Sequence, residues 1–139
     1  MKIKRQINQY LIDLAKQFSA IAVLGPRQSG KTTLVKDTFP DYAYVSLEDL
    51  DTRLLASEDP RGFLQAYTHQ KGLIIDEAQE VPALFSYMQG IIDKEYRPGF
   101  FILTGSQNFL MHEKITQTLA GRIALLTLLP LSIEELKNA

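Results

Sequence analysis

Cysteine is absent from the 139 residues, which removes disulfide bonds, cysteine-ligated zinc and thiol catalysis together and fits a reducing compartment. An excess of charge of one sign is lacking too. Fifteen basic against 16 acidic side chains leave a formal net charge of -1, so the overall balance gives no independent support to a nucleic-acid surface. Lys2, Lys4 and Arg5 cluster at the N-terminus and read as a solvated helix end. No apolar run is long enough to span a bilayer, and the N-terminus has no uninterrupted apolar core of the signal-peptide type. The expectation is a cytoplasmic protein with no membrane partner. His69 and His112 have no carboxylate or second histidine at ligand spacing, so they read as surface residues and not as metal ligands. Neither a repeat nor a low-complexity linker interrupts the chain, whose length suits one domain with a real core.

What is present is a phosphate-binding loop. Gly25 to Thr32 reads GPRQSGKT and fills every fixed position of G-x-x-x-x-G-K-[ST]. Glycines at its two ends let backbone N–H groups turn inward around a polyphosphate with no side chain blocking the approach. Gly25, Pro26, Arg27, Gln28, Ser29, Gly30, Lys31, Thr32 and Thr33 form the expected cradle, with the Arg27 side chain turned to solvent. Lys31 would reach the outer phosphates, and the Thr32 hydroxyl would ligate a magnesium ion. The flanks agree: Ala20 to Leu24 is a short apolar run of buried-strand type, and Thr33 to Thr38 carries Leu34 and Val35 at helix-compatible positions. A helix starting at the loop points its unpaired N–H groups and the positive end of its dipole at the phosphates.

Ile3, Ile7, Tyr10, Leu11, Leu14 and Phe18 recur at three- and four-residue steps and predict an amphipathic helix before the first strand. After the loop helix, Tyr42 to Leu47 reads as a second strand. Leu50, Leu54 and Leu55 then mark one face of a short helix, and Asp59-Pro60 caps and opens another with Phe63, Leu64 and Tyr67 as its stripe. Leu73 to Glu77 is the third strand. Pro82 opens a helix with Leu84, Phe85, Met88, Ile91 and Ile92 spaced for burial, and Phe100 to Leu103 is the fourth strand. Phe109, Leu110, Ile115 and Leu119 predict a further helix, and Ile123 to Leu129 the fifth strand. Alternating strands and helices give an α/β fold with a mostly parallel sheet covered on both faces, and such sheets bind ligands at the carboxyl ends of their strands.

Two more polar features lie at such ends. The third strand runs straight into Asp76-Glu77, where Asp76 would hold magnesium directly or through water and Glu77 would orient, or take a proton from, an attacking water. A glutamate there implies hydrolysis and weighs against a kinase. Beyond the fourth strand, Thr104, Ser106 and Gln107 stand where a polar side chain could touch the outer phosphate or the attacking water, with a turn-forming role as the alternative. Arg122 precedes the fifth strand and is either a finger neutralising transition-state charge, in this chain or in a neighbouring copy, or a charge complementing a helix end. Arg97, before a Pro-Gly turn, reads as solvent-facing.

Taken together, GPRQSGKTTL at Gly25 to Leu34, LIIDEAQEVP at Leu73 to Pro82, ILTGSQNFL at Ile102 to Leu110 and LAGRIALLTLLPLSIEEL at Leu119 to Leu136 resemble the AAA-type P-loop ATPases that form the N-terminal part of many predicted prokaryotic ATPases. The resemblance implies a three-layer P-loop NTPase fold with sheet order 5-1-4-3-2, ATP as nucleotide and Mg2+ as metal. It assigns phosphate binding to Gly30, Lys31 and Thr32, metal support to Asp76 and catalysis to Glu77; Ser106, Gln107 and Arg122 remain further catalytic candidates from their places in the chain. Gln79 belongs to the family's DEAQ signature. Arg122 matches only in position the arginine fingers of AAA-type proteins, which tend to lie just before the fifth strand, and a finger acting in a neighbouring copy would make the protein a homo-oligomer. No guanine-reading N/T-K-x-D signature occurs, in agreement with ATP. Members of the family carry a lid and further domains, whereas Ser132-Ile133-Glu134-Glu135 is a capping box that begins a helix just before Ala139. Residues 1–139 are therefore expected to be a single core, a fragment lacking a lid and a C-terminal domain that would be its partner. The functional expectation is magnesium-dependent ATP hydrolysis driving conformational work. An ATP-dependent switch with negligible turnover is the alternative, and nucleic-acid remodelling a third, less supported one.

Overall fold

The computed structural model describes residues 2–26, 30–106, 117 and 119–128. Its elements follow in the order α1 (Lys2–Gln17), β1 (Ala20–Leu24), α2 (Lys31–Thr38), β2 (Ala43–Ser46), α3 (Leu50–Glu58), α4 (Pro60–Gln65), β3 (Leu73–Asp76), a single 3₁₀ turn (Ala78–Glu80), α5 (Ala83–Lys94), β4 (Phe101–Gly105) and β5 (Ile123–Thr127). The five strands form one parallel sheet ordered β2-β3-β4-β1-β5. That is the order 5-1-4-3-2 read from the other edge. No helix among the described residues is long and apolar enough to cross a membrane.

Period-two alternation sorts the strand residues onto two faces. Ala20, Ala22, Leu24, Leu73, Ile75, Phe101 and Leu103 point to one core, filled by Ala56 of α3, Leu64 of α4 and Leu84, Phe85 and Met88 of α5. Ile21, Val23, Ile74 and Ile102 point to the other, closed by Leu11 of α1 and Leu34 and Val35 of α2. Strands buried on both faces must be apolar along their whole length, and β1, β3 and β4 are buried at every position. Polar side chains inside this sheet are consequently confined to strand ends.

Several sequence expectations shift. The stripe on α1 buries Leu11 but leaves Tyr10 exposed. Leu50, Leu54 and Leu55 of α3 do not face the core: they are 71%, 57% and 63% exposed, and Ala56 is buried in their stead. The rotation of α3 is fixed from below, because Arg53 Nε donates to the Leu47 carbonyl at 2.7 Å and Arg53 Nη2 reaches Glu80 Oε2 at 3.6 Å. Arg97 is not solvent-facing. Its guanidinium donates to the carbonyls of Thr68 and Gln70 and lies 4.0 Å from the Phe100 ring, tying the turn after α4 to β4. β4 continues two residues further than the apolar run, through Thr104 and Gly105, which pair with Val23 and Leu24 of β1. Of the predicted helix over Phe109 to Leu119 only Gln117 and the buried Leu119 are among the described residues; the capping box at Ser132 to Glu135 lies outside them, as do Leu129 and His112. His69 is exposed, as expected.

Candidate functional site

β4 lies between β1 and β3, so the segment after β1, the carboxylates ending β3 and the polar end of β4 meet at one edge of the sheet. Gly25 is held there by its N–H donating to the Gly105 carbonyl at 3.1 Å. Gly30 precedes α2 with φ 83° and ψ 11°, a left-handed conformation that a side chain would strain. The chain thereby enters α2 with Lys31 and Thr32 in the first turn, facing the carboxyl end of β3. Gly25 and Lys31 are buried, Pro26, Gly30 and Thr32 half-buried, and Thr33 exposed; Arg27, Gln28 and Ser29 lie outside the described residues.

Lys31 Nζ stands 3.1 Å from Glu77 Oε1, with side chains only 5% and 8% accessible, and it is 3.5 Å from the Pro26 carbonyl. Glu77 has φ 55° and ψ 52° and, among the described residues, is the non-glycine residue with positive φ. Left-handed backbone at a β-strand exit costs free energy, on the order of 1–3 kcal/mol. Here it swings Glu77 out of the strand's alternation, so that Asp76 and Glu77 serve different partners although they are adjacent. Gln79, in the 3₁₀ turn, donates its Nε2–H to Glu77 Oε2 at 2.7 Å.

Asp76 is surrounded by hydroxyls. Thr32 Oγ1 donates to Oδ1 at 2.8 Å, and Thr104 Oγ1 donates to the same oxygen. Tyr44 and Ser46, both on β2, donate to Oδ2 at 3.0 and 3.5 Å. An ionised carboxylate has about four lone-pair positions, so a metal ion at Asp76 would take the place of one of these hydroxyl protons. Thr104 also accepts the Glu77 backbone N–H at 3.0 Å. This fully buried hydroxyl therefore ties the Asp76 carboxylate to the Glu77 backbone, so its proton is committed to Asp76, a correction to the reading of Thr104 as a contact to the outer phosphate or the attacking water. Ser106 follows β4 at the same edge and is half-buried, while Gln107 lies outside the described residues.

Partial desolvation of the otherwise exposed Tyr44, together with the charge and hydrogen bond of Asp76, both of which oppose a phenolate, pushes its hydroxyl up to about 12. Lys36 Nζ lies 4.0 Å from the face of the same ring. A raised folded-state value means that the folded protein holds the Tyr44 proton after the unfolded chain has released it near pH 10. That contribution to stability is complete below pH 10 and is lost as pH rises toward 12. Tyr44→Phe is accordingly expected to flatten the loss of stability between pH 10 and 12, read by urea unfolding across that range. Equal slopes for the two proteins would refute it.

Arg122 is not part of this cluster. It precedes β5 and its carbonyl accepts the Ala20 N–H, which places it at the amino-terminal ends of the strands. The site is one five-residue strand away, about 16 Å. Asp93 of α5 holds its guanidinium through two bonds of 2.7 and 3.2 Å, and Ala120 accepts a third. A role for Arg122 at this chain's own site is corrected by that separation.

Tyr44, Ser46 and the hydrogen bond from Gln79 to Glu77 were not foreseen. The available signal was Tyr44 and Ser46 two residues apart in a strand otherwise made of Ala43 and Val45, hence on one side of it. Which side is set by the pairing of Ser46 with Asp76.

Thr32 Oγ1 and Asp76 Oδ1 are hard oxygen donors 2.8 Å apart. Adjacent ligands of an octahedral magnesium ion with 2.0–2.1 Å bonds are about 2.9 Å apart, so this pair fits the metal that the sequence pattern implies.

Comparison with known proteins agrees with the geometry. Residues 17–137 match the family model described as AAA domain. An uncharacterized protein of Mycobacterium tuberculosis, Rv2008c, is 33% identical over 123 residues, as is its counterpart Mb2031c in Mycobacterium bovis. The match takes in 86% of this chain and 27% of each relative, so the chain spans about a quarter of the length of these curated relatives. Among solved structures, a DNA replication initiation factor superposes with a TM-score of 0.63 at 16% identity, over 99% of this chain and 50% of that one. AMPPCP-bound DnaA from Aquifex aeolicus gives 0.60 at 14% identity (91% and 46%), and C. elegans PCH-2 gives 0.55 at 16% (98% and 47%). At these identities the superpositions speak for the fold alone. With the family match extending over most of the chain and the sheet order that the fold requires, the protein belongs to the AAA domain family of P-loop ATPases.

Proposed function

We propose that the chain binds ATP with magnesium and hydrolyses it to ADP and phosphate, and that this turnover drives conformational work on a partner. The observation that carries the reading is the division of labour between neighbouring carboxylates: Asp76 bonded to the Thr32 hydroxyl, Glu77 paired with Lys31 and held by Gln79. A solvated pair of strand-end charges would need none of these partners.

In this reading Lys31 leaves Glu77 for the outer phosphates, since one ammonium cannot serve both at full strength. Thr32 and Asp76 would hold the magnesium ion, which when bound neutralises phosphate charge. Glu77, released from its cation, takes a proton from a water whose oxygen attacks the γ-phosphorus. The bond from that phosphorus to the bridging oxygen breaks, leaving ADP and inorganic phosphate. Ser106 and Gln107, following β4, are proposed as contacts to the outer phosphate. Arg122, remote from this chain's own site, is proposed to act at the site of a neighbouring copy, which requires release from Asp93. A lid and a C-terminal domain elsewhere in the full protein belong to the same proposal.

Calorimetric titration with ATP, combined with phosphate release before and after magnesium chelation, tests the reading. Binding together with release that falls on the order of 100-fold without the metal is expected, because the ion supplies several kcal/mol of charge stabilisation. Tight binding without any release would favour an ATP-dependent switch. No binding at all would sink both.

A further inference from the structure

Gln79 has a second polar end that the cluster leaves over. Its Nε2 faces Glu77 Oε2 at 2.7 Å, and because an ionised carboxylate only accepts, the amide orientation is fixed with Oε1 turned the other way. That oxygen is buried and, among the described residues, meets no donor. A buried acceptor without a partner is costly and calls for a physical reason. The reason lies in its neighbour. Oε1 and the Glu77 carboxylate are acceptors joined rigidly by one hydrogen bond, while a water molecule has two O–H donors to place.

From the pairing of Gln79 with Glu77 we infer that Gln79 positions the attacking water: when Lys31 leaves Glu77 and the pocket opens, Oε1, buried before that step, accepts one of its O–H groups while Glu77 accepts the other. The inference rests on the ATPase reading above and deepens it. One proton of the water goes to Glu77 as its oxygen bonds to the γ-phosphorus; the other stays on the new phosphate oxygen and keeps its hydrogen bond to Gln79 during the attack. The Nε2–H bond keeps the Glu77 carboxylate in place once Lys31 has turned to the phosphates. Without it, no side-chain donor would hold the carboxylate, and Glu77 would be directed by its left-handed backbone and the Thr104 hydroxyl on its N–H. The 3₁₀ turn over Ala78–Glu80 is what folds Gln79 back onto a residue two positions earlier.

The test is phosphate release and ATP affinity measured on the full chain for wild type, Gln79→Met, Glu77→Gln and the double variant, with single-turnover conditions for the slow ones. Gln79→Met keeps the side-chain length and loses both hydrogen bonds. It is expected to lower kcat about 10- to 100-fold, as misplacing a reactant does, with ATP affinity within about 2-fold of wild type. On the Glu77→Gln background the same change is expected to add less than about 2-fold, because residues that act through one water are not additive. Should Gln79→Met fail to fold, Gln79→Glu keeps the size and an outer acceptor but turns the donor toward Glu77 into a second acceptor, and the same loss in kcat is expected. Wild-type turnover in folded Gln79 variants, or an equal loss on both backgrounds, would overturn the positioning role and leave the ATPase reading standing. Absence of release from the wild type would overturn both.

Discussion

Lys31→Ala is expected to lose ATP affinity on the order of 100-fold or more and to lower the thermal midpoint on the order of 10 °C. The two losses have separate causes. The affinity loss follows from removing a buried ammonium that faces the phosphates, since truncating one partner of a desolvated charge pair costs about 2–5 kcal/mol. The stability loss arises without nucleotide. Lys31 and Glu77 are both almost fully buried, 3.1 Å apart, and deleting the cation leaves the Glu77 carboxylate with Gln79 as its remaining side-chain donor. An uncompensated buried charge of this kind costs about 3–5 kcal/mol, whereas removing both members of such a pair is often neutral. The double variant Lys31→Ala/Glu77→Gln is therefore expected to recover most of the midpoint and none of the affinity. Calorimetry and thermal unfolding on the same samples check both halves. Unchanged affinity in Lys31→Ala would remove the central assignment of the loop, and a double variant no more stable than the single one would show that the pair is not the source of the stability loss.

Glu77→Gln is expected to cut phosphate release by about 10²–10⁴-fold, the range for loss of a general base, while binding ATP at least as tightly as the wild type. The second half of this prediction comes from competition. Lys31 is paired with Glu77, so ATP would have to displace a carboxylate from the ammonium it needs. A neutral amide at position 77 still accepts a hydrogen bond from Lys31 but holds it less strongly. Steady-state release and titration with ATP decide the matter. Undiminished release would remove Glu77 from the proton-transfer role, and weaker binding would mean that Glu77 supports the nucleotide directly.

Much of this was legible in the chain because it is local. Gly25 to Thr32 and Asp76-Glu77 are short segments whose chemistry depends on neighbours in sequence, and the apolar runs around them mark strands buried on both faces. The strand order came from resemblance, since periodicity gives elements and not their neighbours. Once β4 is set between β1 and β3, Thr104 falls between the loop and the carboxylates. In the sequence it looked like the first residue of a polar turn. The α3 leucines show the limit of periodicity in another way. The spacing of Leu50, Leu54 and Leu55 describes an apolar face, but the Arg53 contacts to Leu47 and Glu80 decide where it points.

By itself, then, the sequence determined that an α/β domain carries a glycine-bounded loop of the phosphate-loop pattern followed by a strand ending in two carboxylates, because backbone conformation and side-chain type within a few residues suffice for that. Only the tertiary structure decided what each carboxylate touches. The register of Ser46 with Asp76 and the course of β4 beside β1 gather the hydroxyls of Thr32, Tyr44, Ser46 and Thr104 on Asp76. The left-handed turn at Glu77 sends the next carboxylate to Lys31 and Gln79. The same parallel sheet separates Arg122 from them by the length of a strand. Contacts between residues 28 to 44 positions apart depend on which strands are neighbours and in what register, and that is settled by packing the two faces of the sheet as a whole.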